Sequence, residues 1–210
     1  MGVKRSFSSK PRGKVTKTRK PIILIATEGK NKTEKTYFNH FNSRGSKYSV
    51  KPFSTGDTDP AGMLKALKRR CADNEISAKN GDLACIALDL DCKEEKAAII
   101  RDLSAKGVNA PYMFVVSNPC FEVWFLDHFR FSTKSYMDQE DVISELKNNY
   151  ISNYDKNLDV FDVLLSRLNT AIRHEEQLHQ YHAGVTWPSA ACTPKTDMLN
   201  IIHNLLERAD

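Results

Sequence analysis

The chain has 210 residues, of which 40% are apolar and 27% charged, with nine glycines and eight prolines; that composition excludes collagenous, mucin-like and wholly disordered proteins. No apolar run reaches the roughly 18 residues of a membrane span, so a soluble protein with no membrane partner is expected. The formal charge of +5 is unevenly placed: residues 1–20 hold eight of the 31 basic residues and no acid, leaving 23 bases against 26 acids in the remainder.

Residues 1–20 are rich in Ser, Thr and Pro and almost free of large apolar side chains, so they cannot order themselves by burial and read as a flexible basic tail. Either this tail attracts phosphates, through Lys14, Lys17, Arg19 and Lys20 with Lys32 further along, or it is a solvated arm without a role. It lacks the apolar stretch of a secretory signal, so export is not expected. Five cysteines, at 71, 85, 92, 120 and 192, form no C-x-x-C pair, which points to a reducing, cytoplasmic setting and away from a thiolate zinc site. His174, His179 and His182 lack the i, i+4 spacing of a helical metal pair and read as a solvated helix face.

Pro21–Thr27 is a continuous run rich in β-branched residues, as in a parallel strand covered on both faces. Asn31 stands three residues before Glu34, a capping-box spacing, and Tyr37, Phe38 and Phe41 carry a helix onward. Lys47–Phe53 predicts a second, less buried strand; Asp59-Pro60 starts a helix with an N-cap and a proline at its first position. Asp82–Leu88 reads as a third strand, Lys93–Lys106 as a helix stopped by Gly107, and Pro111–Val116 as a fourth strand before Ser117-Asn118-Pro119 opens another helix. This alternation predicts an α/β fold with a mostly parallel four-stranded sheet flanked by helices. Beyond residue 130 no strand pattern is convincing. Val160, Val163, Leu164, Leu168 and Ile172 trace one long helix, and Thr196–Glu207 a final amphipathic one. The domain reading is a basic tail over 1–20, an α/β domain over 21–130 and a helical C-terminal extension over 131–210.

Ligands of open parallel sheets bind beyond the carboxyl ends of the strands. Three of the four apolar runs end there in acid or amide groups: Glu28-Gly29, Asp89-Leu90-Asp91, and Ser117-Asn118 with Glu122 a turn later. Period-two geometry puts Asp89 and Asp91 on one side of the extended chain, close enough to share a hard cation. Converging carboxylates repel unless protons or a divalent ion neutralise them, and Mg²⁺ accepts one or two carboxylates with water and phosphate oxygens. Gly29 would let a backbone or phosphate approach closely. Each piece also has a plain structural reading: Glu28 as a turn residue, Asn118 as an N-cap, Glu122 as a surface acid. Phe121, Val123, Trp124, Phe125 and Phe129 read as core packing rather than a base-stacking platform.

Glu28-Gly29 after an apolar strand, Lys32-Thr33-Glu34 with Tyr37-Phe38, Asp89-Leu90-Asp91, and the long stretch Ser117-Asn118-Pro119-Cys120-Phe121-Glu122-Val123-Trp124 through His128-Phe129 resemble the RloB family. These are Toprim-like proteins related to the AbiL abortive-infection component. The similarity spans roughly residues 20–205 and includes Thr193–Met198. The resemblance implies a Toprim-like, Rossmannoid fold. It makes Glu28 the general acid or base and Asp89 and Asp91 the ligands of Mg²⁺ or Mn²⁺, with the carboxylates of Glu28, Asp89 and Asp91 gathered around that one metal ion. It adds Gly29, Asn118, Glu122, Trp124 and His128 as family-motif residues, Glu122 completing the catalytic and metal surroundings. It further implies a nuclease acting on DNA or RNA as effector of an anti-phage, abortive-infection system, encoded beside an AAA/ABC-type, RloA-like ATPase; a homo-oligomer is compatible with it. The alternatives are a non-catalytic Toprim-fold binding or regulatory subunit of an ATPase-containing defence complex, and nucleotidyl transfer in the manner of primases. Two departures stand out: the segment after Glu28 is one residue longer than E-G-x-x-T-E, and Ala191-Cys192-Thr193 replaces a more typical Asn-Pro-Ser.

Overall fold

A computed structural model describes residues 19–29, 32–107 and 112–209. Strand β1 (Ile22–Thr27) is buried along its whole length, which is what its unbroken apolar sequence requires of a strand covered on both faces. It is an inner strand of a five-stranded sheet, with β2 (Ser49–Ser54) on one side and β3 (Leu83–Asp89), β4 (Tyr112–Asn118) and β5 (Lys195–Thr196) on the other, in the order β2-β1-β3-β4-β5. The first four strands are parallel, and β5 runs antiparallel to β4, pairing Ser117 with Thr196 and Asn118 with Lys195.

Five strands rather than four is a correction to the sequence reading. The two residues of β5 carry no periodic signal; tertiary contacts create the strand. Asp197 extends it: its N–H donates to the Val116 carbonyl at 2.9 Å, and its carboxylate accepts the Val116 N–H at 3.1 Å. The C-terminal third thus supplies a strand as well as helices.

Helices cover both faces. α2 (Pro60–Asp73) and α3 (Glu94–Lys106) press Met63, Leu64, Leu67, Ala97 and Ile100 onto Ile22, Leu24, Ala26, Ile86 and Leu88. The opposite face is aromatic. There α1 (Thr33–Asn39), α4 (Glu122–Asp127), α5 (Gln139–Asn149), α6 (Phe161–Leu165), α7 (Leu168–Tyr181) and α8 (Leu199–Leu206) gather over Ile23, Ile25, Cys85, Ala87 and Val115. Tyr37, Phe121, Phe125 and Phe161 form a network of edge and tilted ring contacts in this layer. The aromatic run after Asn118 is therefore core, as its residue types predict.

Local signals account for several boundaries. Asp59 caps α2 by accepting the Gly62 N–H, with Pro60 in the first turn, the arrangement its Asp-Pro sequence predicts. Other signals are overridden. The N-cap of α1 is Lys32, without a side-chain cap, while Asn31 lies outside the described residues. Asn118 ends β4 instead of capping α4, whose N-cap is Phe121. The single long helix predicted from Val160 to Ile172 is broken at Ser166-Arg167 into α6 and α7. No described helix is long and apolar enough to cross a membrane.

Candidate active site at the carboxyl edge of the sheet

β1 connects to β2 on one side, while β3 and β4 continue on the other, so the strand order reverses between β1 and β3. Open sheets leave a crevice at that point, beyond the carboxyl ends of the strands. Glu28, one residue past β1, and Asp89, the last residue of β3, flank it.

Glu28 is 7% exposed and turns toward the α3 layer. Its Oε2 accepts the Asp89 N–H at 2.9 Å, and its two oxygens accept the Lys96 ammonium at 3.0 and 3.2 Å. Lys96 stands on the buried stripe of α3 beside Ala97 and Ile100. The same ammonium lies 3.3 Å from Asp91 Oδ2, and the more exposed Lys93 reaches that oxygen at 3.4 Å. Glu28, Asp59 and Asp91 border an open cleft of about 280 Å³ on this side.

Asp91 does not continue the strand. Its φ is +54° and that of Cys92 +55°, a left-handed conformation that costs a non-glycine residue about 1–2 kcal/mol. Three hydrogen bonds hold this turn: Leu90 N–H to the Ser117 carbonyl, Asp91 N–H to the Pro119 carbonyl, and Cys92 N–H to Asn118 Oδ1. The expectation that Asp89 and Asp91 share one side of an extended chain is therefore corrected: the extended geometry ends at Asp89. Gly29, also at positive φ (+54°), donates its N–H to the Asp57 carbonyl and accepts the Ser54 hydroxyl at its own carbonyl.

Asp89 faces the α4 layer, where its Oδ1 accepts the Phe121 N–H at 2.8 Å. Glu34 of α1 and Glu122 of α4 are buried beside it, at 2% and 1% exposure. Glu122 Oε1 accepts the Tyr154 hydroxyl at 3.0 Å and lies 3.9 Å from the Lys156 ammonium, while Glu122 Oε2 and Glu34 Oε2 are buried without a hydrogen-bond partner. Burial, followed by the charges of Glu34, Glu122 and Glu28, holds the Asp89 carboxyl well above the usual range. Burial, with Glu122 and Glu28 adding to it, pushes Glu34 up to about 7. Burial lowers Lys156, but the carboxylates of Glu122, Asp89 and Glu34 outweigh it and the net shift is upward. No three His, Cys, Asp or Glu side chains among the described residues gather closely enough to enclose a metal ion.

The other singled-out residues have defined places. Asn118 is fully buried; besides accepting from Cys92, its amide donates to the Cys192 carbonyl at 2.8 Å and to those of Ser189 and Ala190 at 3.3 Å. Trp124 donates its indole N–H to the Tyr37 hydroxyl at 2.7 Å. His128 bonds the Trp124 carbonyl through Nδ1, leaving Nε2 buried and unpartnered. Burial lowers the His128 imidazole to about 4; we read it as a neutral core residue whose Nδ1–H donates. Lys14 and Lys17 lie outside the described residues. Arg19 forms a two-pronged pair with Asp82, at 2.9 and 2.6 Å, and Lys20 donates to the Arg44 and Ser46 carbonyls. Lys32 is exposed at the start of α1.

Three groups that shape the site were missed in the sequence. Lys96 left a usable trace, because it sits four residues before Ile100 on the apolar stripe of α3. Glu34 stands in the sequence as half of a capping box and as part of the family motif, with no sign of its burial beside Asp89. Lys156 comes from the irregular stretch between α5 and α6 and had no signal.

A sequence model of the family described as RloB-like protein matches residues 23–205. Searches of curated proteins and of solved structures return no match.

Proposed function

The chain belongs to the RloB-like family, which suggests a defence-associated protein, and we propose that it is a metal-dependent nuclease that hydrolyses DNA or RNA as the effector of an anti-phage system. On this reading the α/β core is a Toprim-like domain, and an AAA/ABC-type ATPase, the usual partner of the family, restrains or triggers it. The observation that carries the reading is the excess of carboxylates at the strand-order reversal. Glu28 and Asp91 lie on the α3 side with Lys96 and Lys93, and Asp89, Glu34 and Glu122 on the α4 side near Lys156, where two buried oxygens have no partner.

An all-oxygen donor set with unpartnered carboxylate oxygens suits a hard divalent cation, and Mg²⁺ needs only one or two carboxylates because water completes its shell. The unpartnered oxygens are those of Glu34 and Glu122, so Asp89 with Glu122 would hold it on the α4 side, while Glu28 and Asp91 stand on the α3 side, paired with Lys96. When bound, Mg²⁺ or Mn²⁺ supplies a Lewis acid for the phosphate and a water of lowered pKa. The chain's own groups do the rest. The Asp89 N–H and Lys96 fix Glu28 in one orientation, with its carboxylate at the rim of the cleft as acceptor of a proton from the attacking water. Lys96, within hydrogen-bond reach of both Glu28 and Asp91, also offers positive charge to a phosphate at that rim.

Purified full-length protein incubated with Mg²⁺ or Mn²⁺ and plasmid, single-stranded DNA or tRNA, alone and with the ATPase, tests this directly. The double variant Asp89→Asn, Asp91→Asn should lose cleavage, Mn²⁺ binding and cell toxicity together. Asparagine keeps the acceptor for the Phe121 N–H, so the fold is retained. Toxicity that survives in the double variant favours the second reading, a binding subunit of an ATPase complex. The pairing of Lys96 with Glu28 supports that alternative, since it neutralises the carboxylate without a metal.

A further inference from the structure

We infer that the outer face of α2, together with edge strand β2, is a docking groove for a single strand of nucleic acid and leads that strand to the carboxylate cleft. This inference rests on the nuclease reading for its purpose, but its evidence is separate. Phe53 of β2 and Gly62, Lys65, Ala66, Arg69 and Arg70 of α2 border a groove of about 390 Å³. Asp73 closes its far end, and exposed Lys51 of β2 reaches Asn74 just beyond the helix, while Lys68 lies on the other side of α2, over Tyr112.

Among the described residues none of Lys51, Lys65, Lys68, Arg69 and Arg70 forms an ion pair. Three lean instead on neutral groups: Lys51 on the Asn74 amide oxygen, Lys68 on the Tyr112 ring and Arg70 on the Phe53 ring. The neighbouring helix behaves differently, since Lys93, Lys96, Arg101 and Lys106 all pair with acids. Unpaired surface cations in a row attract an external polyanion, and phosphates are the anions that such rows grip through counterion release.

Shape selects a single strand. The groove has a partly exposed aromatic wall, Phe53, on which a nucleobase can stack while phosphates follow the cations; a duplex buries its bases and cannot use that wall. Position supplies the purpose. The stripe Gly62, Lys65, Ala66, Arg69, Arg70 spans about 12 Å of helix, and the same helix begins at Asp59-Pro60, which border the cleft with Glu28 and Asp91. A strand lying along α2 therefore ends at the carboxylates.

The test uses the full chain in EDTA, where binding is measured without cleavage, by fluorescence anisotropy of labelled single-stranded RNA, single-stranded DNA and duplex across a salt series. The wild type should prefer single strands. Lys65→Gln with Arg69→Gln should weaken binding at least tenfold and flatten the log K against log salt slope by about 1.4, the value for two lost contacts to a single strand. Phe53→Ala should weaken single-strand binding while leaving that slope unchanged, and Lys106→Gln should change nothing. Unchanged affinity in the double variant, equal loss in Lys106→Gln, or a wild type that binds polyglutamate-displaceable acidic protein but no nucleic acid overturns the inference. A wild type that binds as described yet never cuts in Mg²⁺ overturns the nuclease reading and leaves the groove standing.

Discussion

On the α3 side of the sheet, Glu28 and Asp91 share the buried ammonium of Lys96. On the α4 side, Asp89, Glu34 and Glu122 lie near one partly exposed ammonium, Lys156, and two of their oxygens bond nothing. Both clusters sit at the same strand ends, and both concentrate negative charge. Their difference shows two ways of keeping carboxylates out of water. A fixed internal cation completes the first, so that side is preset. The second is left to protons or to an added ion, and that side is able to respond.

The comparison breaks first at Lys96. Replacing it by Met leaves Glu28 buried without its ion partner, and removing one member of a buried pair costs roughly 3–5 kcal/mol, reduced here to about 2–4 kcal/mol because Asp91 retains solvent contact. Urea unfolding of Lys96→Met should show that loss; a change below 1 kcal/mol would mean the ammonium does not set the α3 side.

The α4 side should reveal itself through pH. Glu34 has its pKa raised in the folded chain, from an ordinary 4.5 to about 7. The folded state therefore binds this proton more tightly than the unfolded chain. Its favourable contribution is complete below pH 4.5 and is lost as pH rises through 7. Glu34→Gln removes the titration, so in metal-free buffer the variant should gain stability over the wild type by about 2–3 kcal/mol at pH 8. The gap should close toward pH 4.5. A pH-independent difference between the two proteins would refute the uncompensated cluster. The smallest effect belongs to Lys93→Met. Its side chain is 63% exposed, and such surface pairs contribute at most about 1 kcal/mol, so the unfolding midpoint of the variant should be nearly that of the wild type.

Much of the described structure between residues 19 and 128 was legible because local and global preferences agree there. The β-branched run of β1, the Asp59-Pro60 start of α2 and the alternation of strands and helices each state the same fold. Legibility failed where long-range contacts decide. β5 is a strand only because Ser117 and Asn118 offer it an edge, and Asn118 is a clamp rather than a cap because its amide finds four backbone partners. For the site, the positions of Glu28 and Asp89 followed from strand ends. The left-handed turn at Asp91 and Cys92 separated two aspartates that a straight strand would keep together, and no spacing rule foretells such a turn. Lys156 and Tyr154 reach Glu122 from an irregular segment, which periodicity cannot locate.

The Asn118 side chain joins two distant stretches of chain in one rigid amide: its oxygen props the Cys92 N–H of the Asp91 turn, and its nitrogen grips the carbonyls of Ser189, Ala190 and Cys192. Because a planar amide cannot move one end without the other, this connection works as a lever. The position of residues 189–192 and the shape of the Asp91 turn are therefore tied together through a single side chain.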